Sequence, residues 1–368
     1  MNVPIAKPNA AILLACVSFG LALATTGCLH PKVGPQSLPR DRELYSISLA
    51  DSWKEQTLLN IVKLRYLDPP VYVDVGSIVA SYTLTQGASV GGTINPSGTS
   101  PGGTALGGAV TFSNSPTITY TPLTGNAYIK GLTTPLPPTT VFATIQNGAP
   151  ADSILLTSVQ SINDLRNEQA GLDGIRPADP AFHRVRELLR TIQLSGTVRL
   201  YVKEDANKQQ TTVLTFRSTG VPPDIEAAMV ELRRLLHLNL GATEFKLVSA
   251  PLPSNDTEIA VMTRSIIGLL QNMAAEVEVP PEDVAQHRAV PGCEAGRTLS
   301  DIVPMIRIHS ARTAPADSFV RVRYRDTWFW IADGDLASKR TFAQLMNLFT
   351  MTDTGAKENQ PVVTIPSR

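Results

Sequence analysis

Charged side chains, cysteines and aromatic residues are all scarce in this chain of 368 residues. Charged residues make up 17%, whereas about 25% is typical of soluble domains. Basic and acidic side chains number 32 each, so the net charge is zero. The composition therefore shows neither the basic excess typical of nucleic-acid binding nor the acidic excess of a disordered tail.

Cysteine is limited to three positions, Cys16, Cys28 and Cys293. Two of them lie in the first 28 residues, so no disulfide framework is expected in the remainder of the chain. The hydrophobic share of 43% is high enough to build a core without disulfides.

The sequence also lacks the common motifs of catalytic and metal sites. Its five histidines are scattered, and neither H-E-x-x-H nor C-x-x-C occurs. Residues 87–91 match G-x-S-x-G, but the following residues, Gly92 to Pro96, cannot start the helix that a nucleophile elbow needs. No glycine-rich phosphate loop is visible. We therefore predict no catalytic residue, no metal and no cofactor, which favours a non-enzyme.

The first 28 residues have the pattern of an export signal. An apolar run from Ala10 to Ala24 is followed by Thr25-Thr26-Gly27-Cys28. This ending resembles the lipobox of bacterial lipoproteins, although Thr25 stands where that family prefers leucine. The resemblance implies a signal peptide over 1–27, cleavage between Gly27 and Cys28, and a covalent lipid on Cys28.

A transmembrane helix is the alternative for this segment, but the run is shorter than the roughly 20 residues needed to span a bilayer. By resemblance to Gram-negative lipoproteins, Leu29 implies sorting to the outer membrane, with the periplasmic face favoured. Residues 28–42 are rich in proline and polar side chains and are expected to form a lipidated tether.

Residues 43–170 are expected to contain helices together with a region of unusual composition. Helical spacing and proline positions predict four helices: Asp51–Tyr66 with Asp51 as its cap, Asn126–Leu132, Thr139–Gln146 and Asp152–Arg166. Between Val75 and Pro150 the only charged residue is Lys130.

Apolar residues alternate with small polar ones on both sides of a Gly/Pro/Asn cluster at 95–103. This pattern predicts a long β-hairpin at about 78–120. Its apolar face would carry Ile78, Tyr82, Leu84, Val90, Ile94, Val110, Phe112, Ile118 and Tyr120. Each arm is longer than the 9 to 11 residues of a membrane-spanning strand. Contact with a membrane or with other copies is one reading; packing on the same molecule, or a mobile loop, is the other.

Residues 172–368 are expected to form an α+β domain, because strands and helices occur without strict alternation. Helices are predicted at 180–193, 223–238, 264–275 and 338–351, and strands at 197–202, 211–216, 245–250, 259–263, 302–308, 318–332 (a hairpin) and 361–365.

Basic and aromatic residues meet in the predicted hairpin at 318–332. They are Arg321, Arg323, Arg325, Trp328 and Trp330. Such a set could bind a glycan, lipid headgroups or nucleic acid; it is also typical of an ordinary hairpin whose arginines face water.

Five strings spread over most of the chain resemble a family of uncharacterised bacterial lipoproteins: NIVKLRYLDPPVYVDV (60–75), PTITYTPLTG (116–125), SVQSINDLRN (158–167), EIAVMTRSIIGLLQNMA (258–274) and VRYRDTWFWIADGDLASKRTFAQLMNLF (322–349). The resemblance implies one shared architecture and no particular activity.

Two functions remain open at this level. The first is a non-enzymatic structural or assembly lipoprotein of the outer membrane that oligomerises through its hairpin or contacts other envelope proteins, with no nucleic-acid partner. The second is an envelope ligand-binding protein or enzyme with a site in residues 172–368.

Overall fold

The computed structural model describes residues 37–79, 82–92, 104–171, 174–204, 210–217, 219–289 and 305–352. In these residues the chain combines helices with mixed and antiparallel sheets, which confirms the α+β class. The helices are α1 (Leu38–Arg65), α2 (Asn126–Thr133), α3 (Pro138–Gln146), α4 (Ala151–Ser158), α5 (Pro180–Ser195), α6 (Pro223–Leu235), α7 (Ile266–Ala275), α8 (Pro281–Ala285) and α9 (Leu336–Thr352).

The strands fall into five sheets among the described residues. They are β1 (Val73–Val79), β2 (Tyr82–Gly92), β3 (Thr104–Asn114), β4 (Thr117–Pro122), β5 (Val159–Ile162), β6 (Leu165–Arg166), β7 (Gln169–Gly171), β8 (Gly174–Arg176), β9 (Val198–Glu204), β10 (Gln210–Phe216), β11 (Glu244–Val248), β12 (Glu258–Thr263), β13 (His309–Ala311), β14 (Val320–Tyr324) and β15 (Thr327–Ile331).

The chain divides into two compact units. One takes in the chain up to Ala50 together with Val75–Tyr120, and the other takes in Asp51–Asp74 and the chain from Thr121 onward. The first unit contains the pair β2–β3 and most of the pair β1–β4. The second unit contains the six-stranded sheet, the three-stranded sheet and the short pair β7–β8.

Helix α1 is longer than the sequence pattern predicted. It begins at Leu38, inside the stretch expected to be a tether, so Asp51 lies within the helix and does not cap it. Its buried residues are confined to the C-terminal part, where Leu58, Ile61 and Val62 are fully buried. The amphipathic pattern therefore predicted the C-terminal part of the helix, which carries the buried residues, and missed the N-terminal part, which carries none.

The main sheet has the strand order β6-β5-β12-β11-β10-β9. Its neighbouring strands are antiparallel except for β11 and β12, which run parallel. The sheet crosses the division that we predicted at 170–172, because β5 and β6 precede it and β9 to β12 follow it. Helix α3 packs against β9, β11 and β12, and α5 packs against β6 and β9.

Helix α4 is shorter than predicted, and this is a correction. The sequence pattern indicated a helix over Asp152–Arg166, but the helix ends at Ser158 and Val159 begins strand β5. Strand β5 pairs with β12, with Ile162 opposite Val261. The predicted cap is also absent: the helix begins after Pro150, and Asp152 lies in its first turn.

Two buried side chains close the C-terminal end of α4. The last four carbonyls of a helix have no partner within it. Asn167 donates its side-chain N–H groups to the carbonyls of Leu155, Leu156 and Val159 at 2.7–3.2 Å. Arg264 donates Nη1 to the carbonyl of Leu156 at 2.7 Å and to that of Thr157 at 2.9 Å.

The backbone of Arg264 completes this arrangement. Its N–H donates to the carbonyl of Ser158 at 2.8 Å, and its Nη2 donates to the backbone carbonyl of Glu168. A third buried side chain, Asn163, holds the turn after β5. Its Oδ1 accepts from the Ala260 N–H at 2.8 Å and its Nδ2 donates to the Leu236 carbonyl at 2.6 Å.

The other predicted elements lie close to their expected positions where the structure describes them. The strand predicted at 302–308 is different: residues 302–304 lie outside the described part, Ile308 forms an isolated bridge with Val277, and the strand is His309–Ala311. The strand predicted at 361–365 lies outside the described residues.

We expect Asn167→Ala to lower the free energy of unfolding by about 3 kcal/mol, because it removes three hydrogen bonds that a buried side chain donates to carbonyls at the end of α4. Denaturant titration monitored by circular dichroism measures this. The matched control is Asn347→Ala, which changes an exposed asparagine on α9. Equal stability of the two variants would contradict the capping role of Asn167.

Candidate functional site

The C-terminal hairpin and one short strand form a three-stranded antiparallel sheet with the order β13-β15-β14. Burial alternates along β14 and β15, so one face of the sheet is turned into the core. That inner face carries Val320, Val322, Phe329 and Ile331, all buried. The opposite face is open to solvent.

The open face carries the basic and aromatic residues that the alternation singled out. Arg321 lies opposite Trp330, and Arg323 lies opposite Trp328. On the other side of β15, His309 lies opposite Trp330. We call this surface the aromatic face and define it by His309, Arg321, Arg323, Trp328 and Trp330.

Arg321 on β14 contacts a tryptophan on the neighbouring strand β15. Its guanidinium carbon lies 5.8 Å from the centre of the Trp328 ring, which is within cation–π range. Its Nη1 donates to the Pro315 carbonyl at 2.9 Å. Both tryptophans are half-buried and Arg321 is exposed. The guanidinium is thereby held beside an indole and remains accessible to solvent.

The remaining two members of the face have acidic partners. The Nη2 of Arg323 lies 2.8 Å from Oδ1 of Asp326, in a pair whose side chains are 59% and 88% exposed. The ring of His309 lies 5.6 Å from that of Trp330, and its Nδ1 lies 3.0 Å from Oε1 of Glu278. Exposed pairs of this kind contribute little to stability.

Arg325 does not belong to the aromatic face, although its spacing grouped it with Arg321 and Arg323. It lies in the hairpin turn, where its φ is +45° and that of Asp326 is +64°. Its Nη2 lies 3.1 Å from Oδ2 of Asp68, and its guanidinium lies 5.0 Å from the ring of Tyr66. Arg325 therefore ties the turn to the segment that follows α1.

A polar recess of about 310 Å³ adjoins Arg321. It is lined by charged residues of both signs from α1 and from the segment before β14, including Asp51, Lys54, Glu55 and Asp317. An apolar groove of about 190 Å³ lies elsewhere, between α3, α5 and the edge strand β9. The side-chain amide of Gln193, one of the groove's lining residues, donates to the carbonyls of Ile145 and Ala149 at 2.7 and 2.6 Å.

The predicted hairpin residues fall on two paired segments in the first unit. Strands β2 and β3 are antiparallel over 11 residues each, and the register pairs Leu84 with Phe112, Gln86 with Val110 and Val90 with Leu106. Positions paired directly across antiparallel strands share a face.

The other predicted hairpin residues have different positions. Ile78 is half-buried on β1, whereas Ile118 and Tyr120 on β4 are exposed by 38% and 63%. Ile94 lies outside the described residues, as do Gly27 and Cys28 of the export segment.

The second unit also contains a buried ionic cluster that the sequence analysis missed. Three of its members, Arg65, Glu168 and Arg264, are buried, and the other two, Arg186 and Glu276, are half-buried. Burial raises the pKa of Glu168, against the attraction of Arg264 and Arg186. Burial also lowers the pKa of Arg264, to about 10. An arginine inside the apolar run from Ile259 to Ile267 was the available signal for this cluster.

Glu276, at the C-terminal end of α7, has the largest shift among the cluster's carboxyl groups. Burial and the nearby charge of Glu168 raise its pKa to about 7. A hydrogen bond from the Met305 backbone and the charges of Arg65 and Arg307 oppose this shift. Perturbed carboxyl groups occur in catalytic sites and in structural networks alike. Arg264, a member of the same cluster, donates hydrogen bonds to carbonyls at the end of α4, which favours a structural role for the cluster.

Among the described residues, no group of three or more His, Cys, Asp or Glu side chains is arranged to hold a metal ion. No helix in the described part of the chain combines the length and the apolar character needed to cross a membrane. No protein family, curated protein or solved structure matches this chain. Its function is therefore inferred from its own residues.

We expect Glu276→Gln to remove a pH-dependent loss of stability. The folded pKa is about 7 and the ordinary value is 4.5, so the folded protein holds a proton that the unfolded chain releases between these pH values. The stabilisation by protonated Glu276 is present below pH 4.5 and is lost as pH rises through about 7.

The glutamine variant should match the parent near pH 4.5 and exceed its free energy of unfolding by about 3 kcal/mol at pH 8. Urea titrations at pH values between 4.5 and 8 measure the difference. The control is Glu226→Gln, an exposed glutamate on α6. A difference from the parent that does not vary with pH would show that Glu276 is not the group responsible.

Proposed function

We propose that this protein is a non-enzymatic lipoprotein of the Gram-negative outer membrane, anchored through a covalent lipid on Cys28 and exposed to the periplasm. It serves as a structural or assembly component of the envelope and associates with further copies through strands β2 and β3. The export segment with its Gly27-Cys28 ending supports the anchor. Leu29 supports the outer-membrane destination by resemblance to other lipoproteins.

The β2–β3 pair carries the proposal of self-association. In the part of the chain that the structure describes, these strands form a sheet of two strands only, about 36 Å long at 3.3 Å per residue. An isolated two-stranded hairpin is marginally stable in water. Within the described residues each strand leaves one long edge unpaired, and such an edge is a template for pairing with another chain.

The composition of the same segment removes the usual protection against such pairing. Native edge strands are commonly guarded by lysine, other charges or proline. Strands β2 and β3 contain none of these, and the stretch from Val75 to Pro150 has Lys130 as its one charged residue. Burying this surface against another copy or a bilayer therefore incurs no desolvation of charge.

Self-association is tested with protein that lacks residues 1–28, so that lipid plays no part. We expect the parent to sediment as an oligomer and a variant in which a short Gly/Ser linker replaces residues 82–114 to sediment as a monomer. The variant's second unit should keep the melting temperature of the parent, because the deletion lies wholly in the first unit.

A charged variant provides the matched control for the deletion. Thr85 pairs with Thr111, so Thr85→Lys together with Thr111→Glu adds an attractive cross-strand pair that maintains the ribbon. It also adds the charge that guards natural edges, and we expect weaker association. If the parent and both variants are monomers, the proposed association is wrong.

The anchor is tested separately in cells. We expect Cys28→Ser to abolish the lipid modification and to move the protein from the membrane fraction to the soluble periplasmic fraction, because the serine cannot form the thioether. Cys16→Ser is the control and should leave fractionation unchanged. Mass spectrometry of the purified parent should detect a mature chain that starts at lipidated Cys28; an intact leader on the parent would refute the anchor.

The aromatic face favours a second function, that of an envelope ligand-binding protein. It belongs to the second unit, whereas β2 and β3 belong to the first. Anchoring, self-association and ligand binding are compatible, because the residues proposed for each of them are different.

A further inference from the structure

The two tryptophans of strand β15 face away from the core that the rest of the strand fills. Thr327, Phe329 and Ile331 are buried, whereas Trp328 and Trp330 are half-buried on the open side of the sheet. Large aromatic side chains dominate the energetics of binding surfaces. Two of the chain's three tryptophans stand on this one face.

The two indoles lie at alternate positions of one extended strand, so their attachment points are about 6.7 Å apart. Each half-buried indole therefore presents part of its surface to solvent, at neighbouring positions along a line. An indole presents a negatively polarised face, which favours contact with the positively polarised C–H groups of a sugar ring. A chain of sugar rings laid along β15 would meet both indoles.

The arginines add a preference for negative charge. Arg321 and Arg323 lie directly across the hairpin from Trp330 and Trp328. A guanidinium matches the two oxygens of a carboxylate or phosphate group, and stacking on an aromatic ring orients it. Arg321 already lies over the Trp328 ring. The exposed partner of Arg323, Asp326, forms a weak pair that a ligand anion can replace.

We propose that the aromatic face binds an anionic glycan, a chain of sugar rings that carries carboxylate or phosphate groups. The indoles stack on sugar rings, and Arg321 and Arg323 pair with the acidic groups. This occupant matches both the exposed indole surfaces and the two guanidinium groups. The half-buried indoles lie beside Arg321 and His309.

Binding is measured by isothermal titration calorimetry on the protein without residues 1–28. The probes are an oligouronate, a phosphorylated oligosaccharide and a neutral oligosaccharide of the same length. We expect the parent to bind one of the charged probes at least tenfold more tightly than the neutral one. The charged probe that binds identifies carboxylate or phosphate as the recognised group.

The variants separate stacking from charge recognition. Trp328→Ala and Trp330→Ala should each weaken binding of the charged probe by tenfold or more. Arg321→Gln combined with Arg323→Gln should bring charged and neutral probes to equal affinity, with weak stacking retained. The control is Arg312→Gln, an arginine that is 80% exposed outside the face, and it should bind as the parent does.

Melting temperatures establish that each variant is folded before its binding is interpreted. Absence of binding to every probe, or equal binding by the parent and the tryptophan variants, overturns the proposal. Binding to vesicles of phosphatidylglycerol without binding to any glycan also overturns it, because the face would then be a membrane contact. None of these outcomes bears on self-association through β2 and β3.

Discussion

The second unit depends on how the chain closes the buried end of helix α4. Burying a helix C-terminus leaves carbonyl groups that must find donors, or the fold loses several kcal/mol. Asn167 and Arg264 supply those donors to Leu155, Leu156, Thr157 and Val159, and the Arg264 backbone serves Ser158. The backbone bond from Arg264 to Ser158 also continues the pairing of β5 with β12 in the main sheet. Helix end and sheet are therefore one cooperative arrangement.

The use of Arg264 to close the end of α4 explains the buried ionic cluster as a consequence of the fold. A guanidinium that closes a helix end inside the core must lose water, and burial accordingly lowers the pKa of Arg264. Glu168 lies nearby and offsets part of that charge, but it is itself buried and its own pKa rises. Its charge in turn contributes to the raised pKa of Glu276. One capping requirement thus propagates into a set of perturbed carboxyl groups, without a substrate being needed to account for them.

Sequence patterns predicted the elements whose structure depends on neighbouring residues. They failed for elements whose structure depends on pairing with strands that are distant in the sequence. Alternation in residues 318–332 predicted the hairpin, and the cross-strand register of the structure puts Arg321 and Arg323 on the same face as the tryptophans. The alternation misplaced Arg325 because two positive φ angles in the turn rotate that side chain away. His309 was missed as a member of the face because its strand is three residues long and is defined by pairing with β15. The end of α4 at Ser158 was missed for the same reason: the competing strand exists only when β12 is present.

The two proposed contacts depend on different forces. A lipid anchor that holds many copies on one membrane would favour both of them. Strands β2 and β3 lack charge, so the self-association that we propose for them would be driven by edge pairing and apolar contact and would be insensitive to salt. The glycan binding that we propose for the aromatic face would rely on charge and stacking, so it would weaken as salt screens the arginines. Anchoring on a membrane raises the effective concentration of neighbouring copies. Weak ribbon contacts would then suffice for assembly, and assembly would array several aromatic faces so that a polymeric glycan could engage more than one at a time.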